Sequence, residues 1–184
     1  MSKVYVFLAD GFEEIEGLTV VDILRRAGVD VAMVSINGKK IVTGSHKIEI
    51  GADILFEETD FTDADLLVLP GGMPGTKYLG AHKELTELLK KANEKGTGLA
   101  AICAAPSVLG DLGLLNGKTA VCYPGFEERL TGATIGKHTV ETDGNITTSR
   151  GMGTAIDFAL ELTKILCGKE KATELGKGII YLAN

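Results

Sequence analysis

The 184-residue sequence is short of several things, and each shortage removes a class of function. Its three cysteines, Cys103, Cys122 and Cys167, are odd in number and have no C-x-x-C spacing, which excludes a disulfide scaffold and a structural zinc site. Thiols kept reduced in the cytoplasm fit better. Its three histidines, His46, His82 and His138, share no metal-ligand spacing, so no metal is expected. His46 reads as part of a turn before a strand and His82 as a solvated helix start. Nineteen Lys and Arg against 25 Asp and Glu give a formal net charge of -6. The basic residues are scattered, so general nucleic-acid binding, which needs clustered cations, is not expected. No window reaches the ~18 apolar residues of a membrane span. The opening MSKVYVFLAD has neither the apolar core nor the cleavage site of a secretory signal, and a soluble cytoplasmic protein is expected.

Nucleotide signatures are missing too. GLLNGKT (113–119) spaces its glycines one residue too closely for a phosphate loop and reads as a turn before a strand. No G-x-G-x-x-G follows a strand, because the GTG at 96–98 precedes one. NIT (145–147) matches a glycosylation acceptor but has no secretory context.

What is present is a hydrophobic content of 45% and a mean hydropathy of +0.17, enough to bury the core of one domain spanning residues 1–184. KVYVFLA (3–9) is a compact apolar run, followed by a helix whose apolar residues include Ile15, Leu18, Val20, Val21, Ile23 and Leu24, capped at Gly28. VDVAMVSI (29–36) completes a βαβ unit, and 40–56 reads as short strands with hairpin-like turns at a sheet edge. Further strands are expected at 64–72, 98–103, 118–122 and 145–149. Helices are expected at 82–95, over AAPSVLGDLGLL (104–115), at 152–168 and finally to about 178. Strands alternating with helices imply an α/β three-layer sandwich with a mostly parallel sheet.

Three strand ends then attract attention: LADGFEEIE (8–16), VLPGGMPG (68–75) and AAICAAP (100–106). In such a sheet the carboxyl ends of the strands share one crevice. Cys103 stands where a strand turns straight into a helix, whose dipole and first N–H groups are expected to lower its pKa. The same position also suits a small core hydrophobe. The N–H groups of Ala104 and of Gly71 and Gly72 offer a pocket for negative charge on a carbonyl oxygen. Glu16 sits one turn into its helix and is able to point inward while Glu13 and Glu14 face solvent. It suits either a protonated partner of the thiol or an exposed helix-start glutamate.

With these motifs in place, the chain resembles the ThiJ/PfpI superfamily, in the branch of the human Parkinson's-linked deglycase. LADGFEEIE, DILRRAGVDV, VLPGG, AAICAAP and TSRGMGTAIDFAL occur in the family's order and spacing. The resemblance implies a flavodoxin-like fold and a homodimer. It makes Cys103 the reactive thiol, Glu16 its protonated partner, and Gly72 and Ala104 the amides of an anion site.

It also implies a glyoxalase without glutathione or a deglycase, acting on methylglyoxal or its early adducts and needing no cofactor. The alternative it offers is an oxidation-sensing or chaperone-like stress protein that uses the same cysteine. The sequence departs from the family at Tyr123, where several relatives carry a histidine. His46 replaces an arginine of an interface anion pocket, a role Arg26 partly keeps, and Met152 replaces a proline. Ala104 stands where the family's proteases place a histidine. The G-x-C-x-G elbow and His-x-Glu of glutamine amidotransferases are missing, so proteolysis and amide transfer are not expected.

Overall fold

Strand β1 (Lys3–Leu8) sends Val4, Val6 and Leu8 into one apolar core and Tyr5 and Phe7 into another, the pattern of a strand covered on both faces. It belongs to a seven-stranded sheet in a computed structural model that describes residues 2–182. Across that sheet the order is β10 (Val140–Asp143), β11 (Ile146–Ser149), β7 (Gly98–Ile102), β6 (Leu66–Leu69), β1, β2 (Asp30–Ser35) and β5 (Ile54–Leu55). Every neighbouring pair is parallel except β10 with β11.

One face is covered by α1 (Glu14–Arg26) and α5 (Ala155–Cys167), whose Val20, Leu24, Phe158 and Leu162 pack on Val4, Val6 and Val68; α6 (Lys169–Gly178) leans on α5. The other face carries α2 (Gly75–Ala81), α3 (Lys83–Glu94) and α4 (Pro106–Asp111), which contribute Leu79, Leu85, Leu89 and Val108. This is a flavodoxin-like α/β sandwich. Among the described residues no helix is long and apolar enough to cross a membrane.

The 40–56 excursion is a hairpin, β3 (Ile41–Thr43) with β4 (Glu49–Gly51), followed by β5 on the edge of the main sheet. It is tied to the loop after β1, where Thr43 N–H donates to Asp10 Oδ1 at 2.9 Å and Gly11 N–H to Thr43 O at 2.7 Å.

Four expectations need correction. The strand expected at 118–122 is only β8 (Thr119–Ala120), paired with β9 (Thr134–Ile135) in a separate small sheet. Side chains take the N–H groups there: Thr119 donates to Asp143 Oδ2 and Val121 to Thr148 Oγ1. The helix expected over 104–115 is six residues long, because Gly113, at φ +74°, closes it with a bond from Leu114 N–H to Leu109 O. Helix α2 was not anticipated, since its glycines and the preceding Pro74 look like turn residues. His82 is not solvated: its ring packs edge-on to Phe56, and Nδ1 caps α3 by accepting from Leu85 N–H at 3.2 Å.

Gly28 does end α1. Its N–H reaches Arg25 O and the next N–H reaches Leu24 O, with Gly28 at φ +86° and nothing within 4 Å of where a side chain would begin. Replacing Gly28 with Ala therefore tests backbone conformation alone. It is expected to cost about 1 kcal/mol, a fall of roughly 2–4 °C in thermal denaturation.

Candidate active site

Because β1, β6 and β7 are parallel neighbours in register, their carboxyl ends at Leu8, Leu69 and Ile102 lie side by side and the loops that follow meet. Cys103 follows β7 directly and adopts φ +65°, a left-handed conformation costing a non-glycine residue on the order of 1–2 kcal/mol. Two backbone bonds hold it there: its N–H donates to Ser149 O at 3.0 Å, and its carbonyl accepts from Tyr123 N–H at 2.8 Å. The Cys103 side chain is thereby turned out of the strand and left half-buried.

Glu16, in the first turn of α1, is buried at 1% exposure. Its Oε2 accepts from Gly71 N–H at 2.9 Å, while Oε1 is buried without a partner of ordinary hydrogen-bond geometry. A Cβ on Gly71 would lie 2.6 Å from Glu16 Oε2 and 2.7 Å from Cys103 Cβ, so the two side chains converge on the bare face of that glycine. Gly72 is packed still more tightly: at φ +90° its missing Cβ would fall 2.3 Å from Glu13 N. The N–H groups of Ala104 and Gly72 donate toward the Cys103 sulfur.

Burial pushes the Glu16 carboxyl up to about 7, against smaller lowering contributions from the Cys103 thiol and the Gly71 N–H. The expected lowering of the Cys103 pKa is not found. Burial, the Glu16 charge and its hydrogen bond push the thiol up to about 12, outweighing the two amides. Helix α4 is short and begins three residues later, at Pro106, so its dipole is weakly placed to oppose this. Glu16 protonation removes the second of these causes.

Tyr123 is tied to Cys103 through its backbone, while its ring is half exposed and lies beside Gly151. Arg26 and His46 do not come together within the chain. Arg26 is at the far end of α1, bonded to Asp22, whereas His46 stands at the start of α1 against Glu14 and Glu13. Glu14 does not face solvent. It is 4% exposed and accepts from His46 N–H at 2.7 Å, and its Oε2 lies 2.9 Å from His46 Nδ1. No local signal links residues 14 and 46; only the docked hairpin does. An apolar cleft of about 550 Å³ between α3 and the turn at 56–62 lies away from Cys103.

A carboxyl raised on folding favours folding while it is protonated. Its contribution is fully present below its ordinary value of 4.5 and is lost as pH rises through about 7. Glu16→Gln keeps a neutral group in place, so between pH 5 and pH 8 the native protein is expected to lose up to about 3 kcal/mol relative to this variant. Denaturant unfolding at the two pH values measures it; parallel curves would refute the buried-carboxyl account.

Comparison with known proteins agrees with this architecture. A model of the DJ-1/PfpI family matches residues 2–165. The DJ-1 homolog B of Arabidopsis thaliana is 42% identical over 99% of this chain, which spans 42% of that protein's length. A protein of Pyrococcus abyssi named a deglycase is 30% identical, covering 89% of this chain and 99% of its own. The solved structure of oxidized DJ-1 from Toxoplasma gondii superposes with a TM-score of 0.95 at 37% identity, covering 100% of both chains. With the family model extending from β1 through most of α5, the chain belongs to the DJ-1/PfpI family.

Proposed function

We propose that this protein is a cysteine-dependent glyoxalase or deglycase, acting on methylglyoxal or its early adducts without a cofactor. The observation that carries this reading is the convergence of Cys103, held at φ +65°, and buried Glu16 on the bare face of Gly71. The deglycase name of the Pyrococcus relative supports the substrate class.

In the proposed sequence Glu16 carboxylate takes the Cys103 thiol proton as sulfur adds to the aldehyde carbon. The N–H groups of Ala104 and Gly72 receive the developing oxyanion, with Gly71 holding Glu16 in place. Glu16 returns the proton to that oxygen, giving a hemithioacetal. Transfer of the hydrogen from the former aldehyde carbon to the ketone carbon, through an enediol, leaves a thioester. Water then cleaves the thioester, releasing lactate and the free thiol. A carboxyl near pH 7 both accepts and returns a proton at neutral pH, which compensates for Tyr123 standing in place of a base. The side chain of Tyr123 is assigned a hydrogen bond to a substrate oxygen.

A second reading is favoured by the oxidized state of the Toxoplasma relative. In it Cys103 reacts successively with two molecules of hydrogen peroxide, releasing two waters and ending as a sulfinic acid held by the same amides. The Glu16→Gln variant keeps a donor but cannot shuttle a proton, so it separates the two readings.

The apolar cleft along α1 and α5 supports a second copy of this chain as partner. Ile15 and Ile48 are about half exposed there, beside Leu18, Ile156 and Ile179. Ile48→Asp is expected to convert a dimer to a monomer in sedimentation experiments.

Lactate formed from methylglyoxal without glutathione, followed over many turnovers, tests the enzyme. It is expected to vanish in Cys103→Ala and to fall by roughly 10²–10⁴-fold in Glu16→Gln. Aldehyde loss without lactate, together with two oxygen atoms added to Cys103 by peroxide, would favour the sensor instead.

A further inference from the structure

Where the turn between β3 and β4 meets the start of α1, four donor atoms crowd one point: Glu13 Oε2, Glu14 Oε2, Ser45 Oγ and His46 Nδ1. Ser45 Oγ is 3.2 Å from each carboxylate oxygen and 3.1 Å from the imidazole nitrogen. That nitrogen is 2.9 Å from Glu14 Oε2 and 3.6 Å from Glu13 Oε2. A tetrahedral zinc ion with bonds of ~2.0–2.2 Å requires donors roughly 3.4 Å apart. The five separations bracket that edge, so a cation fits the cluster with small movements.

The charge balance points the same way. Among the described residues neither glutamate pairs with a lysine or arginine, which leaves two carboxylates facing one imidazole. Glu14 is buried while the His46 side chain is 67% exposed in the single chain, so the site has a fixed floor and one side that this chain leaves uncovered. Histidine spacing along the chain did not reveal the set, because its members come from residues 13–14 and 45–46.

We propose that Glu13, Glu14 and His46 bind a divalent transition cation of the zinc type, with Ser45 Oγ or a water in the fourth position. The hydrogen now shared between His46 Nδ1 and Glu14 leaves as a proton when the cation enters. The site adjoins the proposed aldehyde site, since Glu13 N–H donates to Gly71 O at 2.9 Å and the Glu13 charge acts on Glu16, but the ion takes no step in that chemistry.

Cobalt(II) is the probe, added to the full chain at neutral pH, since its visible bands distinguish tetrahedral from octahedral coordination. One equivalent is expected to bind with tetrahedral bands and no near-ultraviolet thiolate charge-transfer band. Zinc should displace it. Binding is expected to survive in Cys103→Ser and to be lost in His46→Ala and Glu13→Gln, whose folding is checked by circular dichroism. No binding, octahedral bands, a thiolate band, or full binding in His46→Ala would each overturn the proposal and leave His46 as an ion-pair partner only.

Discussion

A carboxyl group almost without solvent, Glu16, sits beside a half-buried thiol, and the surroundings of both follow from that constraint. Burying a charged carboxylate is costly, so the protein holds this group near its point of half-protonation instead. A single backbone N–H, from Gly71, compensates one oxygen and leaves the other directed at no ordinary partner. More donors would fix the group as a carboxylate, and none at all would leave it permanently neutral. In either case it would no longer exchange a proton at neutral pH. The raised thiol is the other side of this arrangement, because a charge on Glu16 opposes a thiolate and its protonation relieves it.

That arrangement needs backbone at side-chain distance. Gly71 and Gly72 follow β6; a methyl group on Gly71 would meet Glu16 and Cys103, and one on Gly72 would meet the backbone of residues 11–13. The left-handed turn at Cys103 costs energy that its two backbone bonds, to Ser149 and Tyr123, help offset. Those partners belong to β11 and to the stretch after β8, so the thiol's position depends on strands far from it in sequence. The parallel alignment of β1, β6 and β7 brings the three loops together without any long-range motif.

The long elements were legible because each carries one strong periodic pattern. The two-faced burial of β1 and the apolar stripe of α1 ending at Gly28 belong to this group. Short elements were not, since their limits are set by tertiary bonds. Strand β8 is held outside the main sheet by Asp143 and Thr148, and α4 stops at Gly113. At the site, the spacing of strand ends pointed to a shared crevice for Cys103, Gly71 and Gly72, but it left Glu16 between a partner of the thiol and an exposed helix-start residue. The direction of the thiol's titration was not readable, because it depends on burial and on a neighbouring charge. Glu14 was placed in solvent for a similar reason, since nothing local announces the hairpin that covers it.

Glu14 and Glu16 show how far partners outweigh position. They stand two residues apart in one helical turn and both are buried, and for each, burial is the largest influence and acts to raise the pKa. Yet Glu14 is held down at about 2 and Glu16 is pushed up to about 7. Glu14 is met by the side chain and N–H of His46 and by Ser45 as well, and together these outweigh its burial. Glu16 has only the Gly71 N–H and a thiol. Both groups share the helix N-terminus, so its dipole alone does not account for the difference. The hairpin β3–β4 accounts for it, by bringing hydrogen-bond donors to one glutamate and leaving the other with only the Gly71 N–H and the thiol.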